Sequence, residues 1–189
     1  LMWGANNFVN DRYKVLRDKH GFTPTKILDI GAHLGDWYTN IKTIYPNSKV
    51  LSIEANPNCA STLSKVNPNS IISCLGKESG ITPFYINPSD SQCTGASMYK
   101  EQTELYENST KITLPTRTLD SLNQRVDFIK MDVQGAELDI IKGGLKTIQN
   151  AAVLQLELAM LEYNEGSPKA SEIISYLYNL GFNLFDIGS

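Results

Sequence analysis

The sequence predicts a single α/β domain in which a mostly parallel sheet is covered by helices on both faces. Short runs rich in β-branched residues alternate with amphipathic stretches, an order typical of strand–helix–strand units. A glycine turn joins the first predicted strand to the helix after it. The 189 residues, 41% of them hydrophobic, suit one domain with its own core, and we find no internal repeat and no domain boundary.

The first half of the chain follows this alternation closely. A helix is predicted over residues 5–20, with apolar side chains on one face and Gly21 at its end. The apolar residues of that face are Phe8, Val9, Tyr13 and Leu16. Next come a strand over 26–31, a helix over 36–45, a strand over 49–54, a helix over 56–66 and a strand over 70–75. Pro46 ends the second helix, and Asn56-Pro57 provides an N-cap followed by proline at the first helical position.

Between residues 76 and 125 the alternation breaks, and we interpret this region as an insertion. Extra strands are predicted over 82–87 and 111–118, separated by a Ser/Thr/Gln/Glu-rich stretch without clear periodicity. A loop of that length in a compact domain is usually a functional lid or disordered, and both alternatives stay open.

The alternation resumes after the insertion. The predicted elements are a strand over 126–131, a helix from about Ala136 that Gly143-Gly144 weakens or breaks, a strand over 151–157, a helix from Ser167-Pro168 to Gly181, and a strand over 182–187. The last helix turns Ile173, Ile174 and Leu177 inward. The domain therefore spans 1–189, with residues 1–24 as an N-terminal helical segment.

Charge and cysteine content limit the classes of partner. A net charge of −3 and a pI of about 5.4 do not indicate a basic surface for binding nucleic acid. No apolar run approaches the ~20 residues that span a bilayer, and no signal peptide is visible. The three cysteines, Cys59, Cys74 and Cys93, form no C-x-x-C pair, so we expect neither disulfides nor a zinc site. We therefore expect the protein in a reducing compartment, the cytoplasm. With His20 and His33 far apart in sequence, we expect no metal.

The turn after the first strand has the spacing of a cofactor loop. It reads Asp29-x-Gly31-x-x-x-Gly35, and glycine there lets the backbone turn sharply towards a ligand. A dinucleotide fingerprint needs a middle glycine where His33 stands. The Asp29 carboxylate would be awkward beside a pyrophosphate but suits an ammonium group. The pattern therefore favours a nucleoside that carries an amino acid, as in S-adenosylmethionine, over a nicotinamide dinucleotide.

A second acidic residue ends the next predicted strand. Glu54 lies 23 positions after Gly31, and its two oxygens can accept both hydroxyls of a ribose. Taken singly, Asp29 and Glu54 could be solvated acids at strand ends. Their joint position around a glycine turn favours a cofactor site.

The chain resembles the FkbM-type family of S-adenosylmethionine-dependent methyltransferases over about residues 25–188. The segments that carry the resemblance are ILDIGAHLGD (27–36), SIEANP (52–57), TLDSL (118–122) and VDFIKMDVQGAELDIIKGG (126–144). The last is the most specific, because Lys-x-Asp-x-x-Gly-x-Glu followed by Lys-Gly is typical of this family. The resemblance implies the Rossmann-like class I methyltransferase fold, with one more strand after residue 189 at the sheet edge.

The resemblance also implies roles for individual residues. The loop formed by Gly31, Ala32, His33 and Gly35 would cradle the methionine part of the cofactor. Glu54 would bind the ribose, Ala55 would lie against the adenine, and Leu75-Gly76 would border the adenine pocket. Asp132 would lie next to the transferable methyl group. The stretch 88–108 matches loosely, mainly at Gly95-Ala96-Ser97, so we expect acceptor contacts there, from Ser97 and Tyr99.

Methyl transfer to a hydroxyl requires a group that removes a proton. Three acids are candidate bases: Asp132, Glu137 and Glu157. Each has a structural alternative: Asp132 can bond the backbone of the turn at 134–136, Glu137 suits a helix start, and Glu157 ends a strand. His33 is a further candidate for the base or for the methionine carboxylate.

Some neighbours of these groups have expected roles of their own. Lys130 can pair with Asp132, while Tyr106 and Tyr163 can stack on an acceptor. We predict O-methylation of a hydroxyl on a sugar, glycan or small molecule. A nicotinamide-dependent oxidoreductase, a non-catalytic binding module, and a methyltransferase acting on RNA or protein remain alternatives.

Overall fold

The computed structural model describes residues 6–88, 94–104, 107 and 109–188, with side chains from residue 10 onwards. Phe8, Val9, Cys93 and Tyr106, which the sequence predictions named, lie outside the described side chains. The described strands are β1 (Lys26–Ile30), β2 (Lys49–Glu54), β3 (Ser70–Ile72), β4 (Cys74–Leu75), β5 (Gly80–Ile86), β6 (Thr110–Arg117), β7 (Phe128–Met131) and β8 (Val153–Leu156). The described helices are α1 (Asn6–His20), α2 (Asp36–Ile44), α3 (Ala60–Val66), α4 (Glu137–Gly143), α5 (Leu145–Asn150) and α6 (Ala170–Asn179). Pro57–Cys59 and Leu119–Leu122 form 3₁₀ turns.

The main sheet has five parallel strands in the order β3-β2-β1-β7-β8. The chain runs outwards from β1 to β3 and returns to place β7 on the other side of β1. Ligands of such sheets bind outside the carboxyl ends of the strands at the point where the order reverses. Because Ile30 pairs with Met131, Gly31 and Asp132 leave the sheet side by side at that point.

The two central strands bury apolar side chains on both faces, as expected for a parallel sheet between helices, and one of these faces also carries the buried Asp29 and Lys130. Ile27 and Phe128 pack with Tyr13 of α1 and Ile41 of α2 on one face. On the opposite face, a larger core joins β1 and β7 to α4, α5 and α6 through Leu28, Ile30, Ile129, Met131, Ile140, Ile148 and Ile173. Full burial of one such side chain contributes about 1.5–3 kcal/mol. Because successive residues of a strand point to opposite faces of the sheet, this burial stabilises the packing of helices on both faces.

The region predicted as an insertion contains a second sheet, in the order β4-β6-β5. β4 pairs in parallel with β6, and β5 pairs with β6 in antiparallel register from Gly80–Thr116 to Ile86–Thr110. The single strand predicted over 70–75 is wrong, because the chain changes sheets at Ser73. The backbone N–H of Ser73 still donates to Glu54 O at 2.8 Å, but Cys74 already pairs with Thr116.

Two of the features that we predicted at helix ends, the Asn56 cap and the diglycine break, are present. The Asn56 side chain accepts the backbone N–H of Asn58 at 3.0 Å and caps the turn before α3. The helix that follows β7 breaks at the diglycine into α4 and α5. A Cβ on Gly143 would lie 2.2 Å from Gly76 O, and one on Gly144 would lie 2.6 Å from Leu119 Cδ2. Glycine therefore lets this helix pair approach the small sheet.

The strand predicted over 182–187 is wrong. Those residues form no regular structure, and Leu184, Phe185 and Ile187 are exposed. They contact α1 through an Asp186–Arg12 ion pair and a Phe185–His20 ring contact instead of pairing with β8. Alternating apolar residues were insufficient to predict a strand here. Among the described helices, none has the length and apolar content that crossing a membrane requires.

Candidate functional site

A cavity opens at the carboxyl ends of β1, β2 and β7, where the small sheet meets the main one. Its lining combines the expected cofactor residues with apolar residues from both sheets: Ile30, Gly31, Ile53, Glu54, Ala55, Ser73, Cys74, Leu75, Phe84, Ala96, Met98, Asp132, Val133, Ala136 and Ile140. The structure therefore brings together five of the predicted site residues, namely Gly31, Glu54, Ala55, Leu75 and Asp132.

Glycine is required at both ends of the loop after β1, for different reasons. Gly31 has a φ of +75°, and a Cβ there would lie 1.7 Å from Asp132 O, so only glycine lets the two strand ends touch. Gly35 has a φ of +98°, and a Cβ there would lie 2.7 Å from Val66 Cγ1. Gly35 and Ala32 are buried and do not line the cavity, so they shape the loop from behind.

The Glu54 carboxylate is held by backbone groups on both oxygens. Oε2 accepts the N–H of His33 at 2.8 Å, and Oε1 accepts the N–H of Asn56 at 2.7 Å. A carboxylate oxygen accepts more than one hydrogen bond, so this side chain keeps acceptor capacity towards the cavity that it lines. His33 therefore contributes through its backbone to the orientation of Glu54.

Asp29 differs from its expected role. Its side chain has no exposed surface and does not line the cavity. Asp29 Oδ1 lies 3.3 Å from Lys130 Nζ without a well-aligned hydrogen bond, and Oδ2 accepts the hydroxyl of Ser52 at 3.3 Å. The cation beside Asp29 is therefore supplied by the protein itself, which the sequence pattern did not indicate.

Lys130 connects the two central strand ends. Nζ donates to Gly31 O at 2.9 Å and lies 3.8 Å from Asp132 Oδ2. Burial by itself lowers the pKa of Lys130, but the carboxylates of Asp29 and Asp132 raise it above its usual value. A charged lysine thus lies behind the cavity and attracts the carboxylate that lines it.

Asp132 and Glu157 form an acidic pair beyond β7 and β8. The backbone N–H of Glu157 donates to Met131 O at 2.9 Å, which brings the two chain segments together. Asp132 Oδ1 accepts the side-chain amide of Gln134 at 2.7 Å. Glu157 is exposed and does not itself line the cavity, but the nearby Asp132 carboxylate raises the pKa of Glu157 to about 7. The pair is therefore able to bind or release a proton near neutral pH.

Glu137 holds the turn that follows Asp132. It is only 2% exposed, and its Oε1 accepts the backbone N–H of Val133 at 3.2 Å. Burial raises the pKa of Glu137, which opposes its ionisation, while the N–H groups of the turn favour it. The turn-bonding role that was the structural alternative for Asp132 is found at Glu137, and this geometry does not support Glu137 as a base.

The predicted acceptor residues point away from the cavity. Ser97 is 1% exposed and donates its hydroxyl to Gln134 O at 2.8 Å. Tyr99 donates its hydroxyl to Asp139 at 2.8 Å, and burial raises the pKa of that hydroxyl. Their neighbours Ala96 and Met98 line the cavity instead. The backbone pairing of Ser97 with Tyr85 determines which side chains of this segment face the cavity and which face away. No local sequence pattern indicated that pairing.

Several cavity residues were missed because they come from the small sheet and the α4 region. Phe84, Ser73 and Cys74 form walls that depend on the crossing of the chain at Ser73. Burial raises the pKa of the Cys74 thiol to about 12, so it stays protonated as part of that wall. Tyr163 is 59% exposed and does not line this cavity. Within the described part of the chain, no group of three or more His, Cys, Asp or Glu side chains is placed to hold a metal ion.

Comparison with known proteins identifies the fold. The family model of the methyltransferase FkbM domain matches residues 29–184. A crystal structure of methyltransferase FkbM from Methylobacillus flagellatus KT aligns with a TM-score of 0.51 and 21% identity, over 77% of this chain and 37% of that chain. At that identity the likeness concerns the fold alone, and this chain spans little more than a third of that protein. A search of curated proteins found no match.

Proposed function

The chain belongs to the methyltransferase FkbM domain family, and we propose that it transfers a methyl group from S-adenosylmethionine to a hydroxyl group. The observation that carries the proposal is the arrangement of one cavity. Glu54, Ala55 and Leu75 line it at one side, and Asp132, with Glu157 beside it, lies at another. A nucleoside pocket next to a proton acceptor is what transfer to a hydroxyl requires.

The residues present fit this cofactor. The Glu54 carboxylate, fixed by two backbone N–H groups, would accept the ribose hydroxyls. Ala55, Leu75 and Ile53 provide an apolar wall for the adenine. When bound, S-adenosylmethionine supplies a methyl group on a sulfonium, which already carries the driving force for transfer. Glu54 and Asp132, which line the cavity, would complement its positive charge, whereas Asp29 is fully buried and does not reach the cavity.

The Asp132–Glu157 pair would take the proton of the acceptor. General-base catalysis works best when the pKa of the base lies near the operating pH, and the pKa of about 7 at Glu157 meets that condition. With S-adenosylmethionine bound as the methyl donor, Asp132 and Glu157 would hold the acceptor hydroxyl and take its proton as the methyl group is transferred. Positioned bases of this kind contribute roughly 10²–10⁴-fold to a rate.

We propose a neutral sugar, glycan or small molecule as the acceptor. Both groups of the proposed base are acidic, so a negatively charged acceptor would be repelled from them. Ala96 and Met98 offer apolar contact on the side of the cavity formed by the insertion. The cysteine content of the chain supports a reducing compartment such as the cytoplasm. The family match removes the main reason to consider a nicotinamide-dependent enzyme.

Isothermal titration calorimetry with S-adenosylmethionine tests the cofactor assignment. We expect saturable binding, weakened about 10-fold or more in Glu54→Ala, because a carboxylate bonded to ribose contributes more than about 1.4 kcal/mol. Asp11→Asn, an exposed acid on α1, is the matched control and should bind normally. Absence of binding at millimolar S-adenosylmethionine, or preferential binding of NAD, would contradict the proposal.

A further inference from the structure

The turn that follows Asp132 has an uncommon backbone. Gln134 has a φ of +53° and Gly135 a φ of +102°, so two successive residues lie in the left-handed region. Glycine adopts that region freely, but glutamine does so only when surrounding contacts hold it there. The contacts at Gln134 come from two segments far away in the sequence.

Two buried side chains donate to the backbone carbonyl of Gln134. Ser97 Oγ donates at 2.8 Å, and Asn164 Nδ2 donates to the same oxygen. Ser97 is 1% exposed and Asn164 5% exposed, so water does not compete freely for either bond. Asn164 also contacts Tyr99 O at 3.4 Å, and Ser97 Oγ accepts the N–H of Tyr99 at 3.1 Å. Tyr99 thus links the two donors.

Both donors are themselves held by backbone pairing. Ser97 exchanges hydrogen bonds with Tyr85 of β5, at 2.8 and 3.2 Å. On the other side, the N–H of Gln102 donates to Tyr163 O, and the N–H of Glu165 donates to Lys100 O, each at 2.8 Å. The segment 94–104 is therefore fastened between the small sheet and the loop that follows β8, with the Gln134 carbonyl at the point of contact.

The same residue that receives these bonds orients the proposed base. The side-chain amide of Gln134 donates to Asp132 Oδ1 at 2.7 Å, while its carbonyl is held by Ser97 and Asn164. We propose that Ser97 and Asn164 are positioning residues that aim the Asp132 carboxylate through Gln134. This inference rests on the proposed function, since it presumes that Asp132 acts on the acceptor.

The arrangement couples two parts of the site. Ala96 and Met98, which flank Ser97, line the cavity, while the Ser97 side chain faces the turn. Docking of this segment thus builds one wall of the cavity and sets the turn beside Asp132 at the same time. A cavity wall that is displaced would leave the base misaligned.

Carbon-detected NMR titration of the Glu157 carboxyl tests the coupling without any acceptor. The charged groups that act on Glu157 are Asp132 and Lys130 from β7 and its end, and Glu137 from α4. In the wild type the pKa should be about 7. In Ser97→Ala the pKa should fall by about one unit towards its ordinary value, because an Asp132 that is less well held spends less time beside Glu157.

The matched control is Ser48→Ala. Ser48 is also buried and donates its hydroxyl to a backbone carbonyl, that of Pro24, but it lies at the opposite end of β2. Ser48→Ala should lower the melting temperature as much as Ser97→Ala and leave the Glu157 titration unchanged. Ser97→Thr, which keeps the hydroxyl, should restore the wild-type titration. An unchanged titration in Ser97→Ala would overturn the proposal.

Kinetics provide the second measurement. Ser97→Ala and Asn164→Ala should each lower kcat about 10-fold, with KM for S-adenosylmethionine within a factor of two, and the double variant should lose less than the product of the two effects. Equal loss of melting temperature with unchanged kcat would contradict the inference. If the wild type transfers no methyl group while the Glu157 titration still responds to Ser97→Ala, the proposed function fails and the coupling stands.

Discussion

The two sides of the cavity are built in different ways. On the cofactor side, Gly31 follows β1 and Glu54 is the last residue of the neighbouring strand β2. The N–H of Gly31 donates to Ile53 O, and the Glu54 carboxylate accepts two backbone N–H groups, all within 25 positions of sequence. On the acceptor side, Asp132 depends on Gln134, which depends in turn on side chains at positions 97 and 164. The first side is held by hydrogen bonds of the sheet and of the loop that adjoins it. The second is held by contacts between distant segments, so its geometry is open to change without loss of the fold.

The largest effect is expected at Gly31, where the two sides touch. Gly31→Ala places a Cβ 1.7 Å from Asp132 O at a φ of +75°. Left-handed strain and overpacking together should cost roughly 4 kcal/mol, and S-adenosylmethionine binding should be lost. Urea denaturation and calorimetry measure both effects.

Gly21→Ala is the control for Gly31→Ala. Its φ of +67° is similar, but a Cβ there would meet nothing within 4 Å. It should cost only about 1–2 kcal/mol and leave cofactor binding intact. A Gly31→Ala protein as stable as Gly21→Ala would show that the strand ends are not in contact.

The difference between the two sides also explains what the sequence predicted. The cofactor side follows from local patterns, since parallel strands bring their ends together and the spacing of Gly31 and Glu54 is short. Ser97 was assigned to the acceptor because its burial depends on pairing with Tyr85, which no local pattern contains. The predicted strand over 70–75 divides at Ser73 because its first half pairs with β2 and its second half pairs with β6, a strand about 40 positions later in the sequence. The apolar alternation at 182–187 had no partner strand and remained irregular.

The next largest effect on stability is expected at Lys130, whose Nζ contacts Gly31 O on the cofactor side and Asp132 on the acceptor side. Lys130→Met removes the cation beside Asp29, which has no exposed surface. An uncompensated buried charge costs about 3 kcal/mol or more, so the free energy of unfolding should fall by that amount. Chemical denaturation at pH 7 measures the loss.

A second substitution distinguishes charge from packing at this position. Asp29→Asn in the Lys130→Met background removes the unpaired carboxylate and should recover more than half of the lost stability. If the double variant is no more stable than Lys130→Met, the role of Lys130 is packing rather than charge, and the two sides are not joined by an ion pair.

The smallest effect on the free energy of unfolding is expected on the acceptor side, at Glu157, and this effect depends on pH. Its pKa is raised from 4.5 to about 7, so between these values the folded protein holds a proton that the unfolded chain releases. This contribution to stability is complete below about pH 4.5 and is lost as the pH rises through 7. Glu157→Gln mimics the protonated form and removes the repulsion from Asp132. It should match the wild type near pH 4.5 and exceed its stability by about 1 kcal/mol at pH 8, after allowance for solvent screening.

Thermal unfolding from pH 4.5 to pH 8.5 measures this difference, with Glu165→Gln, an exposed acid on the same loop, as the control. The control should follow the wild type at every pH. If Glu157→Gln does so too, Asp132 and Glu157 are not close enough to share a proton, and the base must be Asp132 alone. If the gain develops as the pH rises from 4.5 to about 7 and levels off above that, the acceptor side carries a repulsion that the backbone-held cofactor side lacks. That repulsion would be the cost of a base that titrates near pH 7.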